Sequence, residues 1–175
     1  MPVNAVPAGY HTVTPYLLVR GAERLIRFLQ EAFGAEEIER VPGPSGRISH
    51  AEVKIGDSVV MMGEPSDPAT VTSTMLYLYL EDVDKVYARA LRAGGTSVQE
   101  PKNEFYGDRT AAVEDHAGNK WYIATHVEDV PTDELARRAA ELAPTGVDNR
   151  ARSPRAVVGR AAGASERGAG AGIRG

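Results

Sequence analysis

The chain has 175 residues, 42% hydrophobic and 25% charged, which is the range of an ordinary globular domain large enough to bury a core. It has no cysteine, which excludes disulfides, thiolate metal sites and cysteine nucleophiles and fits a cytoplasmic location. Net charge is −4, with six arginines against Asp148 and Glu166 from Thr145 onward; the body therefore carries about −8, which argues against nucleic acid as its partner.

No apolar run approaches the roughly 18 residues that span a bilayer, so no membrane partner is expected. The opening Met1–Pro7 lacks a basic flank and a long apolar stretch and does not read as a secretory signal. In chain order, a strand is expected over Thr12–Val19. A helix over Gly21–Phe33 follows, with Ala22, Leu25, Ile26, Leu29 and Phe33 on one face and Gly34 as its stop. Strands follow around Glu36–Arg40, Ile48–Ile55 and Ser58–Gly63, the last two joined by a hairpin at Gly56-Asp57.

The pattern then repeats. A strand over Thr74–Leu80 leads to a helix capped by Asp82, with Val83, Val86, Tyr87, Ala90 and Leu91 facing inward and Gly94-Gly95 ending it. Strands follow near Ser97–Glu100, Thr110–Asp115 and Lys120–His126, with the second hairpin at Gly118-Asn119. Corresponding landmarks, Gly34 with Gly95 and Gly56 with Gly118, lie about 60 residues apart. The expected fold class is α+β: two βαβββ modules, about 8–65 and 72–130, forming curved mixed sheets around a cavity. A C-terminal helix over Thr132–Leu142, within a segment 131–144, is expected to pack through Leu135 and Leu142. The Ala-, Gly- and Arg-rich tail, 145–175, cannot bury enough surface to offset its ordering entropy and reads as disordered.

The stretches Gly9–Leu17, Ala32–Glu36, His50–Val53 with Ile55–Ser58, Tyr106–Arg109 and Trp121–Asp129 resemble PhnB-like members of the vicinal-oxygen-chelate (glyoxalase/bleomycin-resistance/dioxygenase) superfamily. The resemblance covers roughly residues 8–143. It implies paired βαβββ modules and a homodimer, the latter because two curved half-barrels leave edges and apolar rims that association would cover. It does not settle function, because the superfamily holds both metal-dependent enzymes and metal-free proteins that sequester antibiotics.

In the metalloenzymes that the chain resembles, ligands sit on the first and last strands of each module. The matching positions here are Thr14, Met75, Met61 and Tyr122, none of them a usual metal ligand, so no metal and no cofactor is expected. A displaced site from His50, Glu52 and His126 stays open as an alternative. His50 and Glu52 share the strand face opposite Ala51, Val53 and Ile55, and His126 shares a face with Tyr122. His116 sits in a turn where the family has Pro-Phe at 116–117, a departure that puts the loop's share of the cavity in doubt, and His11 orders the N-terminal arm.

Tyr16, Met61, Met75, Tyr77, Tyr79 and Tyr122 fall on inward positions, with Phe105 and Tyr106 on the loop before Gly107. Two readings stand: ordinary strand packing, or a wall that stacks a flat ligand and offers hydroxyl handles. Arg109 is a candidate to aim its donor fork at a ligand, or else to pair with Asp108; Trp121 is expected to fill the sheet–helix core. The leading reading is a metal-free protein that sequesters an aromatic or polycyclic small molecule, with His50, Glu52, Arg109 and His126 beside the aromatic wall. The alternatives are a lyase, isomerase or dioxygenase using a displaced metal or His50 or Glu52 as general base, and a scaffold with a vestigial cavity.

Overall fold

Strand, helix and three strands recur twice, and a computed structural model describes them over residues 3–142; the expectation of a disordered tail lies outside the described residues. The first set is β1 (Tyr16–Leu18), α1 (Ala22–Phe33), β2 (Glu36–Pro42), β3 (Ile48–Ile55) and β4 (Ser58–Gly63). The second is β5 (Met75–Tyr79), α2 (Val83–Arg92), β6 (Thr96–Asn103), β7 (Asp108–Glu114) and β8 (Lys120–His126), followed by α3 (Thr132–Leu142). Each set forms its own four-stranded mixed sheet, ordered β1-β4-β3-β2 and β5-β8-β7-β6. The first strand of each module pairs in parallel with the last, β1 with β4 and β5 with β8. This is the α+β arrangement expected from the repeat.

The helices supply the surface on which both sheets close. α1 buries Ala22, Leu25, Ile26, Phe28, Leu29, Ala32 and Phe33, and Gly34 ends it in the left-handed conformation at φ 69°. In α2 the Asp82 side chain accepts the Lys85 N–H at 3.2 Å, and Val83, Val86 and Ala90 are buried. Leu91 does not join them and is exposed. The end of α2 meets α1 through Ala90 and Gly95, whose backbone sits close to the Phe28 ring, and Leu91 is turned about 100° away from that contact. The two modules share one core: Phe33 of α1 lies 5.4 Å from the Trp121 ring, and Arg89 of α2 donates to the Ala32 carbonyl at 3.2 Å. Trp121 is fully buried there, as its strand position implies.

Three elements differ from the sequence expectation. β1 is only Tyr16–Leu18, because Thr14 turns back on the His11 carbonyl and Pro15 has no N–H to give a ladder. β6 runs through Pro101 to Asn103; it is the outer strand, so the missing N–H is tolerated and the register shifts between Gln99 and Lys102. α3 is held by charge rather than by Leu142, which is exposed: Arg138 bonds Glu128, Glu134 and the Phe105 carbonyl.

The second hairpin is organised by one carboxylate. Asp115, 5% exposed, accepts the Ala117 N–H at 2.7 Å, the Asn119 N–H at 3.1 Å, the Asn119 side-chain amide at 2.9 Å and the Trp121 indole N–H at 2.9 Å. Asn119 passes the constraint on by accepting the Thr74 N–H at 3.0 Å, which fixes the entry to β5. On the opposite side of the turn His116 Nε2 lies 3.2 Å from the Arg20 carbonyl, tying this hairpin to the start of α1. Asp115→Ala strands these donors and is expected to cost about 3 kcal/mol, lowering the melting temperature by about 10 °C. Urea unfolding of both proteins measures it; a loss under about 0.5 kcal/mol would remove Asp115 from this role.

Candidate functional site

Strand pleating sends alternate side chains to the face away from the helices. On the second sheet that face carries Tyr77 and Tyr79 from β5, Tyr122 and His126 from β8, and Asp108 from β7. Tyr77 lies opposite Tyr122 and Asp108 opposite His126. The Tyr77 and Tyr122 rings stack at 6.1 Å and 10°, and Tyr77 lies 5.4 Å from Tyr79. The wall is open: Tyr79 is 65% and Met75 63% exposed.

Phe105 and Tyr106 extend this wall from the loop before β7, packed edge to face at 5.3 Å, with the Tyr106 hydroxyl 3.5 Å from that of Tyr77. Gly107 makes the loop possible. Its φ is +97°, its carbonyl accepts both Val127 N–H and Glu128 N–H, and a Cβ there would collide with the Glu128 carbonyl oxygen. Although Tyr77 is 42% exposed, partial loss of water around its hydroxyl raises that group above the usual phenol range, and the Tyr106 hydroxyl adds to it.

Beneath the wall, Asp108 is 3% exposed. Tyr79 donates its hydroxyl to Oδ2 at 2.9 Å, and His126 Nδ1 stands 2.8 Å from Oδ1; the other His126 nitrogen lies 3.0 Å from Asp129. Hydrogen bonds to Asp108 first, and to Asp129 second, hold His126 above the ordinary histidine value and favour its imidazolium form. The bond to Asp108 likewise raises the Tyr79 hydroxyl.

The first sheet carries a related group. Tyr16, His50, Glu52 and Met61 occupy its open face, and Met61 lies opposite both Tyr16 and Glu52. Glu52 is nevertheless only 4% exposed, because the N-terminal arm crosses it and Tyr10 donates its hydroxyl to Oε2. His50 Nε2 lies 3.0 Å from Oε1, and His50 Nδ1 lies 3.2 Å from the Tyr16 hydroxyl. Burial pushes the Glu52 carboxyl up, but the bonds from Tyr10 and His50 outweigh it and hold it below the usual carboxylate range.

Two sequence expectations fail at this level. His126 does not converge with His50 and Glu52; it is held in the second sheet by Asp108 and Asp129, and among the described residues no group of three or more His, Asp or Glu is placed to hold a metal ion. Thr14, Met61, Met75 and Tyr122, the positions matching the metalloenzymes' ligands, offer no imidazole or carboxylate, so these residues do not fit such a metal. Arg109 does not pair with Asp108 and does not face the aromatic wall. It shares the helix-side face with the buried Ala111 and Val113 and makes a bidentate pair with Asp84 of α2 at 2.6 and 2.7 Å. Asp108 is the residue that sequence reading passed over; its parity with Thr110 and Ala112, opposite to Arg109, was the available signal. Tyr10 had no such signal, since a loop position carries no periodicity.

A cavity of about 640 Å³ adjoins the wall at the free edge of β5. Its sides are β5 from Leu76 to Tyr79 with Leu80 just after it, the β3–β4 hairpin, and Val13 and Pro15; Trp121 is also in its lining. Because it wraps the strand edge, it takes in both the leucine side and the tyrosine side of β5. Its volume suits a drug-sized molecule. Among the described residues no helix is long and apolar enough to cross a membrane.

Comparison with known proteins bears on this arrangement. An uncharacterized protein of Mycobacterium bovis is 34% identical over 146 residues, covering 77% of this chain and 93% of its own length. The crystal structure of TioX from Micromonospora sp. ML1 superposes with a TM-score of 0.58 at 26% identity, over 67% of this chain and 99% of that one. TnmS3 from Streptomyces sp. CB03234, described as an antibiotic binding protein, gives 0.54 at 25% identity, over 71% of this chain and 99% of its own. The profile of the glyoxalase/bleomycin resistance protein/dioxygenase superfamily matches residues 10–123, and the chain, with its two βαβββ modules, belongs to that superfamily.

Proposed function

We propose that this protein binds a flat aromatic or polycyclic small molecule and holds it unchanged, without a metal. The observation that carries the reading is the exposed tyrosine wall of the second sheet, stacked in register and continuous with the β5 cavity. Packing does not account for it, because Tyr77 and Tyr79 stand open to solvent while Leu76 and Leu78 pack against the core. Sequestering an antibiotic is the use that the likeness to an antibiotic binding protein supports. The PhnB-like motifs suggest the branch of the superfamily, and the absence of cysteine fits a cytoplasmic setting.

A homodimer is part of this proposal. Ile38 and Val41 on the first sheet and Val98 on the second are exposed large side chains outside the tyrosine wall that a second copy would cover. Light scattering at micromolar concentration is expected to give twice the chain mass; a monomer mass would refute the dimer and leave the tyrosine wall to be tested alone.

One observation favours a second reading. His50 stands against a buried carboxylate, the pairing that lets a histidine act as general base. If the protein is an enzyme, His50→Ala is expected to lower its turnover by a hundredfold or more while leaving its fold intact. Survival of the activity in that variant would remove His50 as its base, whereas ligand binding without turnover would end the catalytic reading and favour sequestration.

Because a ligand that binds only the native state must stabilise it, a panel of planar polycyclic compounds is expected to contain members that raise the melting temperature. Tyr77→Ala and Tyr122→Ala are each expected to weaken such binding by about tenfold, and treatment with a chelator is expected to leave it unchanged. No stabilisation by any compound would sink the proposal and leave the cavity vestigial, and loss of binding on chelation would overturn its metal-free part.

A further inference from the structure

We infer that the ligand of the tyrosine wall is cationic: a planar aromatic body seated in the β5 cavity and on Tyr77 and Tyr122, with a protonated amine held over Tyr79 and Tyr106 above Asp108. The inference rests on the binding reading above and adds the charge of the ligand to it.

Three observations carry it. The first is the kind of surface. Tyr77, Tyr79, Tyr106 and Tyr122 present ring faces whose quadrupoles attract a cation, most strongly where water is partly excluded. The second is Asp108, a carboxylate with only 3% exposure at the edge of that wall, held through Oδ2 by the Tyr79 hydroxyl at 2.9 Å. A buried carboxylate beside apolar rings projects its field into a poorly screened space, and a ligand ammonium answers it. The third is the disposition of cationic side chains. Arg109 is turned to the helix side and bound to Asp84, Arg138 is committed to Glu128 and Glu134, and Lys102 pairs with Glu104. His126, 52% exposed, is the side chain that answers Asp108, and its outer nitrogen is in turn answered by Asp129.

His126 therefore competes with the ligand. As imidazolium it neutralises Asp108. Once neutral, it can donate one hydrogen to Asp108 but no longer satisfies Asp129 as well, and the two carboxylates regain net negative charge. Asp108 and Asp129 hold the histidine above its ordinary value, so this release falls above the usual histidine range. Affinity for a cation is expected to be low while His126 is protonated and to rise as pH climbs through its folded-state value. The groups around this site are Tyr79 on β5, Tyr106 on the loop, and Glu128 and Asp129 after β8; Glu128 stays paired with Arg138 over this range.

The test uses two tricyclic probes of like shape, the acridinium cation proflavine and the neutral acridone, titrated by fluorescence against the full chain. Proflavine is expected to bind about tenfold or more tightly than acridone at pH 8, with a smaller ratio at pH 6. Asp108→Asn keeps a hydrogen-bonding group for Tyr79 and is expected to abolish the preference while sparing acridone. His126→Gln is expected to raise the proflavine affinity and remove its pH dependence. A purely structural role for Asp108 would weaken both probes alike and overturn the inference. Equal binding of both probes to the unaltered protein would overturn it too, while leaving the aromatic-ligand reading standing. Binding of neither would defeat both.

Discussion

Two helices have to cover the inner faces of two sheets, and most of the molecule follows from that constraint. α1 and α2 pack on each other and bury Leu17, Val53 and Met62 from one sheet together with Val113, Trp121 and Ile123 from the other in one core. Helical surface sufficient for one face of each sheet is not sufficient for two. Period-2 alternation then leaves Tyr16, Tyr77, Tyr79 and Tyr122 on faces that nothing among the described residues covers fully. The tyrosine wall is thus the complement of the core, written in the same strands. A large apolar side chain on that face would be a liability in solution. Tyrosine tolerates it, because its rim is polar while its faces remain available for stacking.

The sheets must also be held in one register, since a slip of one residue would exchange core and wall. In the first module the apolar content of β3 and β4 does this, with Ala51, Val53, Val60 and Met62 all buried. In the second module much of the work falls to Asp115. It collects the Asn119 and Trp121 donors on the β7–β8 hairpin, while Asn119 reaches across to Thr74 at the start of β5. A single buried carboxylate therefore sets the alignment of the strands that carry Tyr77 and Tyr122, and a satisfied polar network specifies geometry in a way that apolar packing alone does not.

Periodicity makes the repeat, the helix faces and the inward side of β3 legible in the sequence, because these depend on residues a few positions apart. The same rule places Tyr77, Tyr79 and Tyr122 together. It also holds the means to separate Asp108 from Arg109, but motif proximity suggests that the two neighbours pair, and neighbours on a strand point to opposite faces. What stays illegible depends on chain segments without periodicity. Tyr10 reaches Glu52 across 42 positions, and α3 is fixed by Arg138 on the Phe105 carbonyl, 33 positions away. Neither contact leaves a trace in local patterning. Leu142 misleads for a related reason: an apolar residue at the end of a short helix looks like an anchor, yet the charged pairs of Arg138 do the anchoring.

The two open faces repeat a chemical unit as well as a fold. In each, a buried carboxylate accepts a tyrosine hydroxyl on one oxygen and meets a histidine on the other: Tyr10, Glu52 and His50 on the first sheet, Tyr79, Asp108 and His126 on the second. The units differ in what lies beyond the histidine. His50 turns its second nitrogen to the Tyr16 hydroxyl, and Glu52 is covered by the arm through Tyr10. His126 turns its second nitrogen to Asp129, which favours the imidazolium and partly cancels Asp108. Burying a carboxylate is costly without strong partners, and these two are satisfied by different means, one by enclosure and one by charge. Enclosure puts the arm between the first face's carboxylate and solvent. Charge compensation makes the second face respond to the protonation of a single half-exposed histidine, and the tyrosine wall lies on that second face.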